Sequence, residues 1–247
     1  MDTKPFRTTR RITNLRQGRN DWYRITNSTD PAVPSQVSIY DEIGYFGVTA
    51  ADFIRDLAEI KGPIELHLNT PGGEVFDGIA IYSQLKQRGN VAVIVDSLAA
   101  SIGSVIAMAG DTVTMAPGSQ LMIHDGFGMG IGNAADMRQL ADLLDKQSDN
   151  IASIYADRTG QPAETWRAAM RDETWYTAAE AVAAGLADNV LGKPAADPAV
   201  TGGWDLSVFS GKPGHPAGDA TAPVANDSAD LSWIDQLDLT AFKEATK

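Results

Sequence analysis

The 247-residue chain contains no cysteine. A thiol nucleophile, a disulfide framework and a zinc–thiolate centre are therefore excluded. Its three histidines are too few for a histidine-built metal site. The glycine-rich stretch 126–132 does not lead into a lysine-bearing phosphate loop, so a nucleotide motif is missing as well. No apolar run is long enough to cross a bilayer, and the first residues lack the apolar centre of a signal peptide. The expectation is a cytoplasmic protein with no membrane partner. Positive charge is also scarce: 20 Lys and Arg stand against 32 Asp and Glu, for a net charge of −12. That balance argues against a general nucleic-acid surface. The exception is residues 1–24, where seven basic residues face Asp2 and Asp21. Residues 1–20 read as a basic, solvated, flexible arm.

What remains is enough to build one substantial domain, with 43% hydrophobic and 21% charged residues. Short β-like runs lie at Trp22–Ile25 and Val37–Tyr40. Thr49 can cap a helix carrying Phe53, Ile54, Leu57 and Ile60, ended by Gly62-Pro63. A strand over Ile64–Leu68 leads through Asn69-Thr70-Pro71-Gly72-Gly73 into a helix that Gly89 stops. Val91–Val95 reads as a buried strand, followed by shorter ones at Thr112–Met115 and Leu121–Ile123. Asn133 caps a long helix, 133–157, and Thr159-Gly160-Gln161-Pro162 breaks it. Thr177 caps a last helix before Gly185. The repeated strand and helix rhythm indicates an α/β domain over 21–192, with helices on one side of a twisted sheet. From about Lys193, Pro, Gly, Ala, Ser and Asp take over, and the tail 193–247 reads as acidic and disorder-prone. Residues 231–243 have apolar spacing suited to a short docking helix.

The chemistry centres on Asp96-Ser97-Leu98-Ala99-Ala100-Ser101-Ile102-Gly103. It reads as a strand, a tight turn of small residues, then a helix. A serine at such an elbow presents its hydroxyl, and its own backbone N–H, at a helix N-terminus, can stabilise an anion. The same turn could simply ease helix–strand packing. His124 ends its own short strand and precedes the glycine loop, a suitable place for a base. His67 lies inside an alternating strand and reads as structural; His215 lies in the Gly/Pro tail. Gly72-Gly73 opens a helix and is either an oxyanion-binding turn or a plain one. An acid is needed to orient the imidazole, and Asp172 and Glu173 precede Trp175-Tyr176-Thr177.

Together these segments resemble the ClpP-type serine peptidases, from roughly Ile39 to Leu191. Asn69-Thr70-Pro71-Gly72-Gly73, Ala99-Ala100-Ser101-Ile102-Gly103, Met122-Ile123-His124 and Ala179–Asp188 match the family's motifs in the family's order. The resemblance implies a crotonase-like ββα superhelix with a protruding handle helix, here 133–157. It implies Ser101 as nucleophile, His124 as base, and the N–H groups of Gly73 and Ile102 as oxyanion hole. Gly126, Phe127, Gly128, Met129 and Gly130 would form an edge strand that binds extended substrate. The family's acid is an aspartate two residues before an aromatic; that position holds Glu173, with Asp172 as the alternative. No cofactor is implied. The tail and the Glu173–Ala178 segment look most like the ClpP-related head maturation proteases of tailed phages, which act on scaffold and capsid protein. The leading expectation is thus an ATP-independent prohead endopeptidase that forms a homo-oligomeric ring. The alternatives are a housekeeping Clp subunit serving an AAA+ unfoldase, an inactive ClpP-like ring subunit, and an acyl-CoA crotonase.

Overall fold

The computed structural model describes residues 22–30, 32–44 and 49–192, all within the unit Met1–Pro213. The expected arm over 1–20, the tail from 193 and the docking helix at 231–243 lie outside the described residues. In chain order the elements are β1 (Tyr23–Thr26), β2 (Ser35–Ile39), α1 (Ala50–Ala58), β3 (Ile64–Thr70), α2 (Val75–Arg88), β4 (Val91–Ala100) and α3 (Ile102–Ala107). There follow β5 (Thr112–Met115), β6 (Gln120–Ile123), α4 (Ala134–Thr159), α5 (Ala163–Arg171), β7 (Thr174–Thr177), α6 (Ala178–Ala183) and β8 (Asn189–Val190). The result is an α/β fold around one mixed sheet.

The sheet runs β1-β2-β3-β4-β5-β8, antiparallel at β1–β2 and parallel thereafter. β4 has ten residues and serves two partners along one edge. Ala92–Val95 pair with β5, while Leu98–Ala100 pair with β6. β7 then closes on β6 antiparallel, Ile123 opposite Thr174. The strand expected at Val91–Val95 therefore runs on to Ala100, because β6 satisfies the backbone that β5 leaves behind.

Burial alternates along the central strands. Leu66, Leu68, Val91, Val93 and Val95 are buried, whereas Glu65, His67, Ala92, Ile94 and Asp96 are half-buried. Parallel sheets with helices on both faces lose this alternation; here one face is covered and the other is polar. Phe53 and Leu57 of α1, Ile81 and Leu85 of α2 and Val105 of α3 join the covered face in one core. Each such side chain contributes roughly 1.5–3 kcal/mol on burial.

The helix ends follow the sequence signals. Thr49 with Asp52, Asn133 with Asp136 and Thr177 with Glu180 each form a reciprocal capping box. Gly160 ends α4 in the left-handed conformation, φ +71°. α1 stops at Glu59, before the expected Gly62-Pro63. α4 has 26 residues and is thus about 39 Å long. Its second half is anchored by Ser148, Ile151, Ala152, Ile154 and Tyr155, while Ala134–Asp145 is mostly exposed. The loop 126–132 is not a strand in this chain; Met129 is 82% exposed and Ile131 fully so. Its alternating glycines favour no strand by themselves, and no strand among the described residues pairs with them. Gly128 and Gly130 instead lie against Leu140 and Leu144 of α4.

Candidate active site

Ser101 sits where β4 passes into α3, with φ +54° and ψ −127°. A non-glycine residue in that region is strained and persists only where its surroundings hold it. Here the hold is visible. The Ser101 N–H donates to Met122 O at 3.0 Å. Its carbonyl accepts from the Ser104 N–H at 3.0 Å and from Ser104 Oγ at 2.5 Å. With that hydroxyl hydrogen committed, buried Tyr155 donates its own to Ser104 Oγ at 2.7 Å. A chain Tyr155–Ser104–Ser101 thus braces the elbow from α4.

His124 follows β6 directly. Its Nε2 lies 2.7 Å from Ser101 Oγ, a hydrogen bond that suits proton transfer from the hydroxyl. The parallel pairing of Ala100 with Met122 explains the meeting, because it carries both chain segments out of the sheet side by side. The antiparallel β6–β7 register brings up a candidate acid. One step beyond Ile123–Thr174 brings His124 level with Glu173. Glu173 is half-buried, adopts φ +47°, and accepts from Trp175 Nε1 at 3.3 Å. Asp172 is exposed and is the C-terminal cap of α5.

Burial pushes the His124 imidazole below its ordinary value, while the negative charges of Glu173 and Asp125 pull it back up. Burial prevails. A histidine so placed is neutral near pH 7 and able to take a proton. The charge of Glu173 would then favour the imidazolium once it forms.

The Gly72-Gly73 turn lies hard against this pair. A Cβ on Gly72 would come within 2.7 Å of Ser101 Cβ, and one on Gly73 within 2.1 Å of Ile43 O. Gly73 has φ +148°, and its close approach to the Ile43 backbone leaves room only for glycine. Ser101, Ile102, Gly73 and His124 share the wall of one cavity of about 390 Å³. Gly126, Phe127, Gly128 and Met129 line it too, whereas Gly130 lies outside, packed against Leu140 and Met137. Phe127 stacks obliquely on His124, with ring centroids 5.6 Å apart.

The sequence reading missed part of this wall: Phe76 of α2, and Leu144, Ile151 and Tyr155 of α4. They appear in sequence only as apolar positions at helical spacing, which does not reveal the site. Ser104, three residues after Ser101, carried a signal, since a hydroxyl one turn on can reach back to the elbow carbonyl. A cavity with apolar flanks and a few convergent polar groups is the usual form of a substrate site. Among the described residues no cluster of His, Asp and Glu could hold a metal, and no helix is long and apolar enough to cross a membrane.

Known proteins agree with the kind of chemistry. A family model described as Clp protease matches residues 27–194. The ATP-dependent Clp protease proteolytic subunit of Deinococcus radiodurans is 37% identical over 147 residues, covering 58% of this chain and 72% of the relative. Subunit 1 of the Chlamydia caviae protease is 35% identical over 153 residues, covering 58% and 80%. That of Gloeobacter violaceus is 32% identical over 179 residues, covering 70% and 90%. The chain belongs to the Clp protease family and is a serine peptidase of that family.

Proposed function

We propose that Ser101, His124 and Glu173 form the catalytic triad and that this protein hydrolyses peptide bonds through an acyl-enzyme. The observation that carries the reading is the 2.7 Å contact of His124 Nε2 with the hydroxyl of a strained Ser101. His124 takes the Ser101 proton as Oγ attacks the peptide carbonyl carbon. The Gly73 and Ile102 N–H groups face the negative oxygen that develops. The imidazolium returns the proton to the leaving amine, and the C–N bond breaks. Water, deprotonated by His124, then cleaves the ester and frees Ser101. Gly126–Met129 has no strand partner among the described residues, and its backbone is suited to hold a substrate in extended form.

At the level of assembly we place the domain over 21–192 in a ClpP-like ββα superhelix with α4 as the protruding handle of a homo-oligomeric ring. Its partners would be protein substrates and an AAA+ unfoldase in the cytoplasm. The relatives' names, ATP-dependent Clp protease proteolytic subunit, favour this over ATP-independent cleavage of phage scaffold or capsid protein. The prohead reading rests on Glu173–Ala178 and the extension beyond Leu191 alone.

A fluorophosphonate probe with mass spectrometry tests the chemistry. The expected adduct is on Ser101 and is lost in His124→Ala. No adduct in a verified oligomer would favour an inactive ring subunit or an acyl-CoA enzyme. Degradation of a folded protein only with ATP and an unfoldase would support the assembly. Efficient cleavage of capsid or scaffold protein without ATP would overturn it in favour of prohead maturation.

A further inference from the structure

We propose that Arg167 is a positioning residue that clamps the His124 segment to α4 and α5 and thereby holds the base in reach of Ser101; this rests on the triad proposed above. Arg167 is the one buried charged residue among the described residues, with a side chain 7% exposed. All three of its nitrogens are used, each on a different carboxylate. Nη1 donates to Asp125, Nη2 to Asp145 at 2.8 Å and Nε to Asp149 at 2.8 Å. Asp125 is the residue after His124, while Asp145 and Asp149 lie one turn apart on α4. One guanidinium therefore joins α5, α4 and the catalytic loop.

Backbone contacts converge on the same point. The Asp125 N–H donates to Met170 O at 3.2 Å, and the Gly126 N–H to Ser148 Oγ at 3.0 Å. These fix where the chain leaves His124, but not the Asp125 side chain, which lines the catalytic cavity. Among the described residues, Arg167 is the side chain that ties that carboxylate to the helices. Lysine cannot replace it, because an ammonium is a point charge while the guanidinium fork reaches three directions at fixed angles.

The clamp has an electrical side as well. The charges that act on His124 are Glu173, before β7, and Asp125, on its own loop. Ser101 just before α3 and Tyr155 of α4 share the cavity as neutral hydroxyls, and Glu74, the residue before α2, lines it with a carboxylate. Arg167 balances Asp125 and the two α4 aspartates behind it. Without that cation the Asp125 carboxylate would stand uncompensated next to the base, while Asp145 and Asp149 are largely exposed to solvent. The Asp125 charge then favours the imidazolium and raises the pH at which His124 titrates.

The test uses the full chain, with wild type, Arg167→Met, Arg167→Lys, Asp125→Asn and the double variant Arg167→Met/Asp125→Asn. Two readouts are taken on material shown to be folded and of unchanged oligomeric state. One is kcat, KM and the pH profile of kcat/KM on a fluorogenic peptide. The other is the NMR titration of His124 in a Ser101→Ala background, assigned by loss in His124→Gln. The latter is practical because the chain has three histidines. Arg167→Met is expected to lower kcat roughly 10- to 100-fold with little change in KM, as misplacement of a catalytic group does. It is also expected to move the acid limb and the His124 midpoint to higher pH. Arg167→Lys should keep the midpoint but not the full kcat. The double variant should restore the midpoint but not the rate. An active wild type whose kcat and midpoint are both unmoved in Arg167→Met overturns the clamp and leaves the triad standing. A His124 midpoint that moves in Arg167→Met while wild type itself lacks peptidase activity supports the hold of Arg167 on the His124 segment and overturns the triad on which the clamp's catalytic role rests. If Arg167→Met does not fold, Asp125→Asn decides: an unchanged midpoint and kcat overturn the clamp, while a lower midpoint with reduced kcat supports it.

Discussion

Two histidines of this protein sit among carboxylates and hydroxyls within one sheet, and their environments differ in ways that decide what each can do. His67, in the middle of β3, faces the polar side of the sheet. Its Nδ1 meets Asp96 at 2.9 Å and its Nε2 meets Glu65 at 3.1 Å, while Tyr40 donates to Asp96 at 2.5 Å. Hydrogen bonding to Asp96 outweighs burial and raises its pKa. His124 has one face on a serine hydroxyl, and burial lowers its pKa. β4 serves both, with Asp96 inside the strand and Ser101 just beyond its end. The parts are nearly the same. A histidine with both nitrogens on carboxylates is placed as an ion-pair partner; one with a nitrogen on a strained serine at a cavity wall is placed to act as the proposed base.

The sharpest way to break this comparison is to remove each histidine in turn. His124→Ala and Ser101→Ala should each reduce kcat/KM for a peptide by roughly 10,000-fold or more, since members of a triad act as a unit. His67→Gln should stay within about two-fold of wild type, as expected for a site that does not touch substrate. Comparable losses in both would show that the polar face of the sheet takes part in turnover. Next in size is the acid. Glu173→Gln keeps the shape but loses the charge that favours the imidazolium, and kcat should fall by about 100- to 10,000-fold. Asp172→Asn, on an exposed helix cap, should change little. A reversal of these two results would make Asp172 the third member.

The pH profile gives a smaller and signed effect. Because burial lowers the His124 pKa, the acid limb of kcat/KM should lie below the ordinary imidazole value of 6.5. The unprotonated base then persists into mildly acidic solution. Glu173 acts to raise that pKa, so Glu173→Gln should shift the limb further down even as the rate falls. A limb that moves up would mean that Glu173 acts on His124 by something other than its charge.

These differences also mark what a sequence can show. Capping residues, turn glycines and alternating strands are local, so most elements were legible, but β4 runs five residues past the expected Val95 because its end pairs with β6, and the expected strand over 126–130 did not form. Ser101 and His124 were legible as candidates because each stands at the end of an apolar run. Their 2.7 Å approach was not, because it depends on β6 taking over the edge of β4 from β5. Glu173 was ambiguous with Asp172 in sequence; the β6–β7 register brings one of them level with His124 and leaves the other on the helix cap. Arg167 gave no signal at all. A single arginine at helical spacing looks like a solvated face, and its burial follows only when α4 and α5 pack around the catalytic loop.

The smallest expected effect separates the two histidines by stability alone. The folded pKa of His67 is raised above its unfolded value, so its ion pairs stabilise the fold fully below about pH 6.5. That contribution is lost as pH rises through the folded pKa. His124 has the opposite sign: its folded pKa is depressed, so its contribution is present above the unfolded value and lost as pH falls through the folded one. In wild type the two slopes oppose each other and partly cancel. The difference between wild type and His67→Gln removes the His124 part, which both proteins share. Denaturant midpoints measured from pH 5.5 to 8.5 should therefore differ most at the acid end, by no more than about 1 kcal/mol for a half-buried pair, and converge at the alkaline end. A gap of constant size would mean that His67 stabilises the sheet as a neutral hydrogen-bonding side chain and that its ion pairs with Asp96 and Glu65 contribute nothing to the fold.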